Sequence, residues 1–124
     1  MDVVVEVGGW EHDCCGEAVE RDQVVDLRCI RWTDPAGRVH LVESHHDTGV
    51  HAGERVRGRV VDLHVVEDGV AREVLRVPSG QALTGWDPHD DGHLEAPWTG
   101  EVLTARAGEF LVTVRTADGP GTRV

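Results

Sequence analysis

A chain of 124 residues with 23 acidic and 12 basic side chains, a formal charge of −11, is long enough for one hydrophobic core. It is too acidic to hold nucleic acid or an anionic membrane by charge. Its valine excess, 15 glycines and scarce aromatics point to an all-β domain, and no apolar run approaches the roughly 18 residues that span a bilayer.

The predicted elements follow in chain order. Val3 to Val7 reads as a valine strand closed by Gly8-Gly9, with no support for a helix after it. Gln23 to Trp32 reads as a second strand, with Val25, Leu27 and Cys29 on one face. Val24, Ile30 and Trp32 lie on the other, so cover on both faces is expected at one end. Asp34-Pro35-Ala36-Gly37 fits a type I turn leading into a strand over Arg38 to Glu43. Ser44 to Gly53 reads as loop.

Arg55 to Glu67 is the longest strand signal, with Val61, Leu63 and Val65 alternating against polar neighbours. Gly58 within it predicts a bulge or bend. Asp68-Gly69 is a two-residue hairpin turn, after which Val70 to Val77 returns. Pro78 to Pro97 reads as turn and loop anchored by Leu83 and Trp86. Glu101 to Ala105 and Glu109 to Thr116 read as a last hairpin with Phe110, Val112 and Val114 inward. Nowhere does a 3.6-residue period argue for a helix; Glu17 to Val24 could make one turn at most. Seven or so short strands predict a small, partly open antiparallel barrel over residues 1–116, with a sandwich as the alternative. A Gly/Pro-rich flexible tail, residues 117–124, would follow it.

Trp10-Glu11-His12-Asp13-Cys14-Cys15-Gly16, directly after the first valine strand, resembles an N-terminal signature of an uncharacterised family of small actinobacterial proteins, in which a W-x-x-x-C-C-G run precedes another valine-rich strand. Val56-Arg57-Gly58-Arg59-Val60-Val61, preceded by Glu43-Ser44-His45-His46, is similar to that family's later G-R-V strand. The resemblance covers about the first two-thirds of the chain and implies no activity. Asp22-Gln23 departs from it, standing where a Gly-Asp turn is expected.

Two adjacent cysteines among only three support several readings. On a strand, neighbouring side chains face opposite ways, but a turn at Gly16 would let both thiols converge. Cys14, Cys15 and His12, completed by His46 or His45, form a candidate metal set; His51 lies in the same loop. Mixed thiolate and imidazole ligation suits zinc, with copper(I) as the alternative. A reactive thiol assisted by His12 is a second reading, although Glu11, Asp13 and Glu17 disfavour a thiolate there. Packing is the third: Trp10 and one cysteine plug a barrel end while Gly16 supplies a positive φ. A disulfide between neighbours strains the intervening peptide and is rare. Met1-Asp2-Val3-Val4-Val5-Glu6 is no signal peptide, so the expected setting is the cytoplasm, where cysteines serve as thiols or ligands rather than bridges.

Trp86 to Glu95 is rich in Asp and His, yet it fails a calcium-loop pattern because Trp98 stands where a Glu is required. Its length, with Trp86 and the nearby Trp98 exposed, suits a binding lip. Arg55, Arg57 and Arg59 share a strand face and are expected to answer surface carboxylates. No nucleophile elbow, phosphate loop or dinucleotide fingerprint is present. The sequence therefore favours a non-enzymatic binding or accessory protein with a Cys/His zinc site. A metal-free acidic module that blocks or mimics something basic, as an immunity or antitoxin-like protein would, is the alternative, and a thiol-dependent enzyme using Cys14 or Cys15 with His12 is the third.

Overall fold

The computed structural model describes residues 1–44, 54–103 and 109–116; residues 45–53, expected as loop, 104–108, and 117–124, expected as tail, lie outside the described residues. Ten strands and two short helices are described: β1 (Asp2–Gly8), α1 (Gly9–Cys15), β2 (Val19–Glu20), β3 (Val24–Thr33), β4 (Val39–Glu43), β5 (Glu54–Glu67), β6 (Val70–Glu73), β7 (Arg76–Val77), α2 (Gly80–Leu83), β8 (Leu94–Glu95), β9 (Val102–Leu103) and β10 (Glu109–Thr116).

The main sheet runs β10-β1-β4-β3-β5-β6, and a further β10–β5 pairing closes five of its strands into a ring. The all-β, partly open barrel expected from composition is the fold found. Its seams are unequal. β10 meets β1 and β5 in long antiparallel ladders, whereas β1 meets β4 through one parallel pair, Glu6 with Val42. His40 on β4 bridges that thin seam: its Nδ1 lies 2.5 Å from Glu6 of β1 and its Nε2 2.8 Å from Asp34 of the β3–β4 turn.

Valine fills the ring. Val5, Val7, Val60, Val65, Val112 and Val114 pack with Leu63 and Phe110, all essentially sealed from solvent. β-Branched side chains are stiff at χ1 and fit a pleated, half-buried surface, which is why this composition suits the fold. In β5 the inward residues are Val56 and Val60, then Leu63 and Val65. The phase changes because the register against β10 shifts between Thr113 and Val114, leaving Val61 as the extra residue. Val61 is thus not part of the inward row expected for it, and the bulge sits three residues beyond Gly58. Gly58 has a different task. It pairs with both β3 and β10, and a Cβ there would lie 2.2 Å from the Arg115 carbonyl oxygen.

The turns follow their chemistry. Asp34 accepts Gly37 N–H at its carbonyl, while its carboxylate accepts Ala36 N–H and Arg38 N–H. Asp68 and Gly69 both take positive φ, 51° and 77°, as a type I′ hairpin demands. Four expectations are corrected. Val24 is 69 % exposed and Trp32 46 %, so β3 is not covered on its second face; charged neighbours keep that face in water. β9 pairs with β8 rather than with β10, whose two edges are taken by β1 and β5. Trp86 is 81 % exposed and is not the anchor expected; Ala82 and Leu94 are buried in that region, and Leu83 packs against the core as expected. A helix, α1, does follow β1.

Candidate functional site

Two regions sit outside the ring. The first is a cap made by α1 and α2. The seven residues of α1 have no side-chain N-cap, and the chain leaves the helix at Gly16, whose N–H donates to the His12 carbonyl at 2.8 Å; Gly16 is extended at φ −75, not at the positive φ expected, and glycine is needed there for space beside the His12 ring. Tertiary contact holds it: Gly80 N–H donates to the Gly16 carbonyl at 3.0 Å. A Cβ on Gly80 would lie 1.8 Å from the His12 carbonyl oxygen, so only glycine lets α2 come this close. Ser79 caps α2 by accepting Ala82 N–H at 3.1 Å.

His12 turns inward. It is 2 % exposed, tilts against the Phe110 ring at 6.0 Å between centroids, and donates from Nε2 to the Pro78 carbonyl at 2.8 Å. Its Nδ1 is buried with no hydrogen-bond partner among the described residues and faces Gly16, where a Cβ would lie 2.0 Å away. Cys14 and Cys15 face solvent and are joined by a disulfide. The expectation of free thiols is corrected here: where the chain leaves α1 at Gly16, both sulfurs meet on its outer side. The bridged sulfurs are not thiolates and His12 points the other way, so the described residues do not assemble the expected zinc set. His45, His46 and His51 lie outside the described residues, as does the Trp10 side chain. Cys29 is core, as expected; burial first, then Glu43 and Glu54, push its thiol up to about 12, which makes it inert.

The second region is the excursion 84–103. Its Asp residues form Asx turns, each accepting the N–H two positions on: Asp87 from His89, Asp90 from Gly92 and Asp91 from His93. Arg76 on β7 clamps it with two bonds to Asp90, at 2.6 and 2.8 Å, and one to the His93 carbonyl at 3.0 Å. The guanidinium holds the Asp90 carboxyl far below the usual range, with the Gly92 N–H adding to the effect. His93 lies between two carboxylates, Asp91 at Nδ1 and Glu95 at Nε2, which raise it above its ordinary value. Arg76 Nη2 also lies 3.5 Å from His93 Nδ1, but that nitrogen's proton goes to Asp91, so the two cations are merely close. Asp90, Asp91 and His93 bring ligand atoms within 4.8 Å of one another, yet Arg76 already supplies the cation.

Between 84 and 103 the chain has five carboxylates and no Arg, and Arg76 answers one of the five. Trp86 and Trp98, in the same segment, are 81 % and 86 % exposed. An open hollow lies beside Asp87, His89, Asp91 and His93. The expected strand-face arginines are surface partners: Arg55 and Arg57 pair with Asp26, and Arg59 donates to the Asp22 carbonyl. No helix among the described residues is long and apolar enough to cross a membrane.

No family model, curated protein or solved structure matches the chain.

Proposed function

We propose that this protein is an acidic interaction module that binds a basic segment of a partner protein through the 84–103 excursion. One observation carries the reading: two almost fully exposed indoles on a segment of five carboxylates and no Arg, fixed in place by Arg76. Exposed apolar surface rimmed by polar residues marks interaction sites, and Trp is enriched among residues that dominate binding energy. An indole beside carboxylates suits an Arg or Lys side chain, the ring taking the cation by its face and the carboxylates by charge. The overall charge of −11 adds steering towards such a partner.

Titrating the full chain with an Arg-rich peptide, and with a neutral peptide of equal length, tests this by tryptophan fluorescence. Saturable binding of the basic peptide, weakened about tenfold or more by Trp86→Ala with Trp98→Ala, is expected. Asp87→Asn with Asp91→Asn should weaken binding more than Asp13→Asn with Asp22→Asn, which removes the same charge elsewhere. Equal loss in the two charge pairs, or binding indifferent to the indoles, would leave only diffuse electrostatics and refute the site.

A further inference from the structure

A disulfide stabilises chiefly by closing a loop in the unfolded chain, and a bridge at sequence separation 1 closes almost none. Holding the fold together therefore does not explain this one. Adjacency also forces the bridge into a ring containing the intervening peptide, at a Cα–Cα spacing of 3.8 Å, below the usual disulfide span. Both cysteines are exposed, so the sulfurs are open to attack from solvent. Cys15 in addition lines a groove of about 360 Å³ between the end of α1, β2, β3 and the end of β4. The third cysteine, Cys29, is buried and inert.

We propose that Cys14–Cys15 is a two-electron thiol–disulfide exchange site, attacked at Cys15 from this groove by low-molecular-weight thiols. The thiolate of the reductant attacks Cys15 Sγ; the S–S bond breaks, and its electron pair leaves on Cys14, which takes a proton from water. A second reductant thiolate attacks the reductant's sulfur in the mixed disulfide, releasing Cys15, which is protonated in turn. The protein gains two electrons and two protons, and two molecules of thiol become one disulfide. The reverse reaction, with a small disulfide as oxidant, restores the bridge.

The chain's charge selects among thiols. Glu17, Asp26 and Glu43 line the groove with Arg28, and Arg55 and Arg57 both reach Asp26, so the lining itself is close to balanced. The preference for cationic and neutral thiols over anionic ones comes from the chain's −11, with Glu17, two residues from Cys15, as its nearest contributor along the chain.

Trypsin places Cys14 and Cys15 on the fragment 1–21 and Cys29 on the fragment 29–31, so mass mapping reads the two sites separately. Folded protein treated with cysteamine, and separately with 2-mercaptoethanesulfonate, would be quenched by alkylation at intervals. The expected result is gain of two alkyl groups on fragment 1–21, none on Cys29, and reduction by cysteamine about threefold or more faster at matched thiolate concentration and low salt. Glu17→Gln should narrow that ratio. Cys14→Ser, which keeps Cys15, should capture a small disulfide as a mixed disulfide faster than Cys15→Ser does. A bridge that reduces only after unfolding, a pair that stays unbridged in folded protein under a small disulfide, or equal capture by the two variants would overturn the proposal.

Discussion

The cap and the excursion both lie outside the strand ring, and opposite physics holds them there. Close backbone approach builds the cap: Gly80 against the His12 carbonyl, Gly16 against the His12 ring, and that ring against Phe110. Charge builds the excursion: Arg76 on Asp90, His93 between Asp91 and Glu95, and three Asx turns. A part fixed by shape tolerates salt and pH but no added atom. A part fixed by charge tolerates added atoms but depends on salt and pH. The two meet where the excursion begins, through bonds from Thr84, Gly85 and Trp86 to α2, and again where Gly92, at φ +74, brings the excursion back against the Ala82 carbonyl.

The sharpest way to break the cap is one methyl group. Gly80→Ala should cost about 3 kcal/mol, because the new Cβ must displace backbone rather than a mobile side-chain end. Its denaturation midpoint should fall about equally at low and high salt. The matching change in the excursion is Arg76→Met, which keeps the apolar stem and removes the clamp. The Arg76 and Asp90 side chains are 19 % and 24 % exposed, between a surface and a buried pair, so about 2 kcal/mol is expected. That loss should shrink as salt is added to the wild type. If both variants respond alike to salt, the two regions are not held by different forces.

Acidity separates them further. His93 is raised by Asp91 and then Glu95; His40, at the thin β1–β4 seam, is raised by Asp34 and then Glu6 and stacks on Trp32 at 4.4 Å. A histidine raised on folding binds its proton more tightly in the native state. Its contribution is complete below the unfolded value near 6.5 and is lost as pH rises through the raised one. The partner carboxyls of Asp34 and Asp91 are lowered by these histidines, so their share is present above about 3.8 and lost as pH falls through their lowered values. Both bonds are therefore strongest in mildly acidic solution. Urea midpoints should fall from about pH 5.5 to about pH 8.5, and His40→Gln and His93→Gln should each flatten part of that slope. A wild-type midpoint that rises over this interval would contradict both clamps.

The ring was legible because strands write themselves as alternation. Val25, Leu27 and Cys29 in β3, and Phe110, Val112 and Val114 in β10, are buried as their spacing predicts. Asp34 to Gly37 and Asp68-Gly69 were readable because turns are local chemistry. Non-local events were not readable. α1 has seven residues, no side-chain cap and no period, and it stands because Gly80 lies beneath it. The phase change in β5 comes from the register of β10, so alternation alone placed Val61 inward. In the candidate sites, position was legible and role was not. The sequence singled out Cys14, Cys15 and His12, but a seven-residue helix turns the cysteines outward and the histidine inward. The i, i+2 spacing of Asp87, Asp90 and Asp91 to their N–H donors was a signal for Asx turns. The clamp of Arg76 on Asp90 spans 14 residues and left none.

The smallest expected effect on stability carries the most weight for function. Trp86 and Trp98 contribute little to the ring, so Trp86→Ala and Trp98→Ala should each move the unfolding free energy by no more than about 0.5 kcal/mol, the ordinary range for surface positions. Leu94→Ala, in the same segment but 2 % exposed, should cost about 3 kcal/mol. That contrast separates the excursion's foundation from its display. If truncating either indole destabilises the chain as Leu94→Ala does, the indole packs against the protein in solution and is not presented to a partner. If stability holds while binding of the basic peptide falls, the exposure of Trp86 and Trp98 is explained by what they bind.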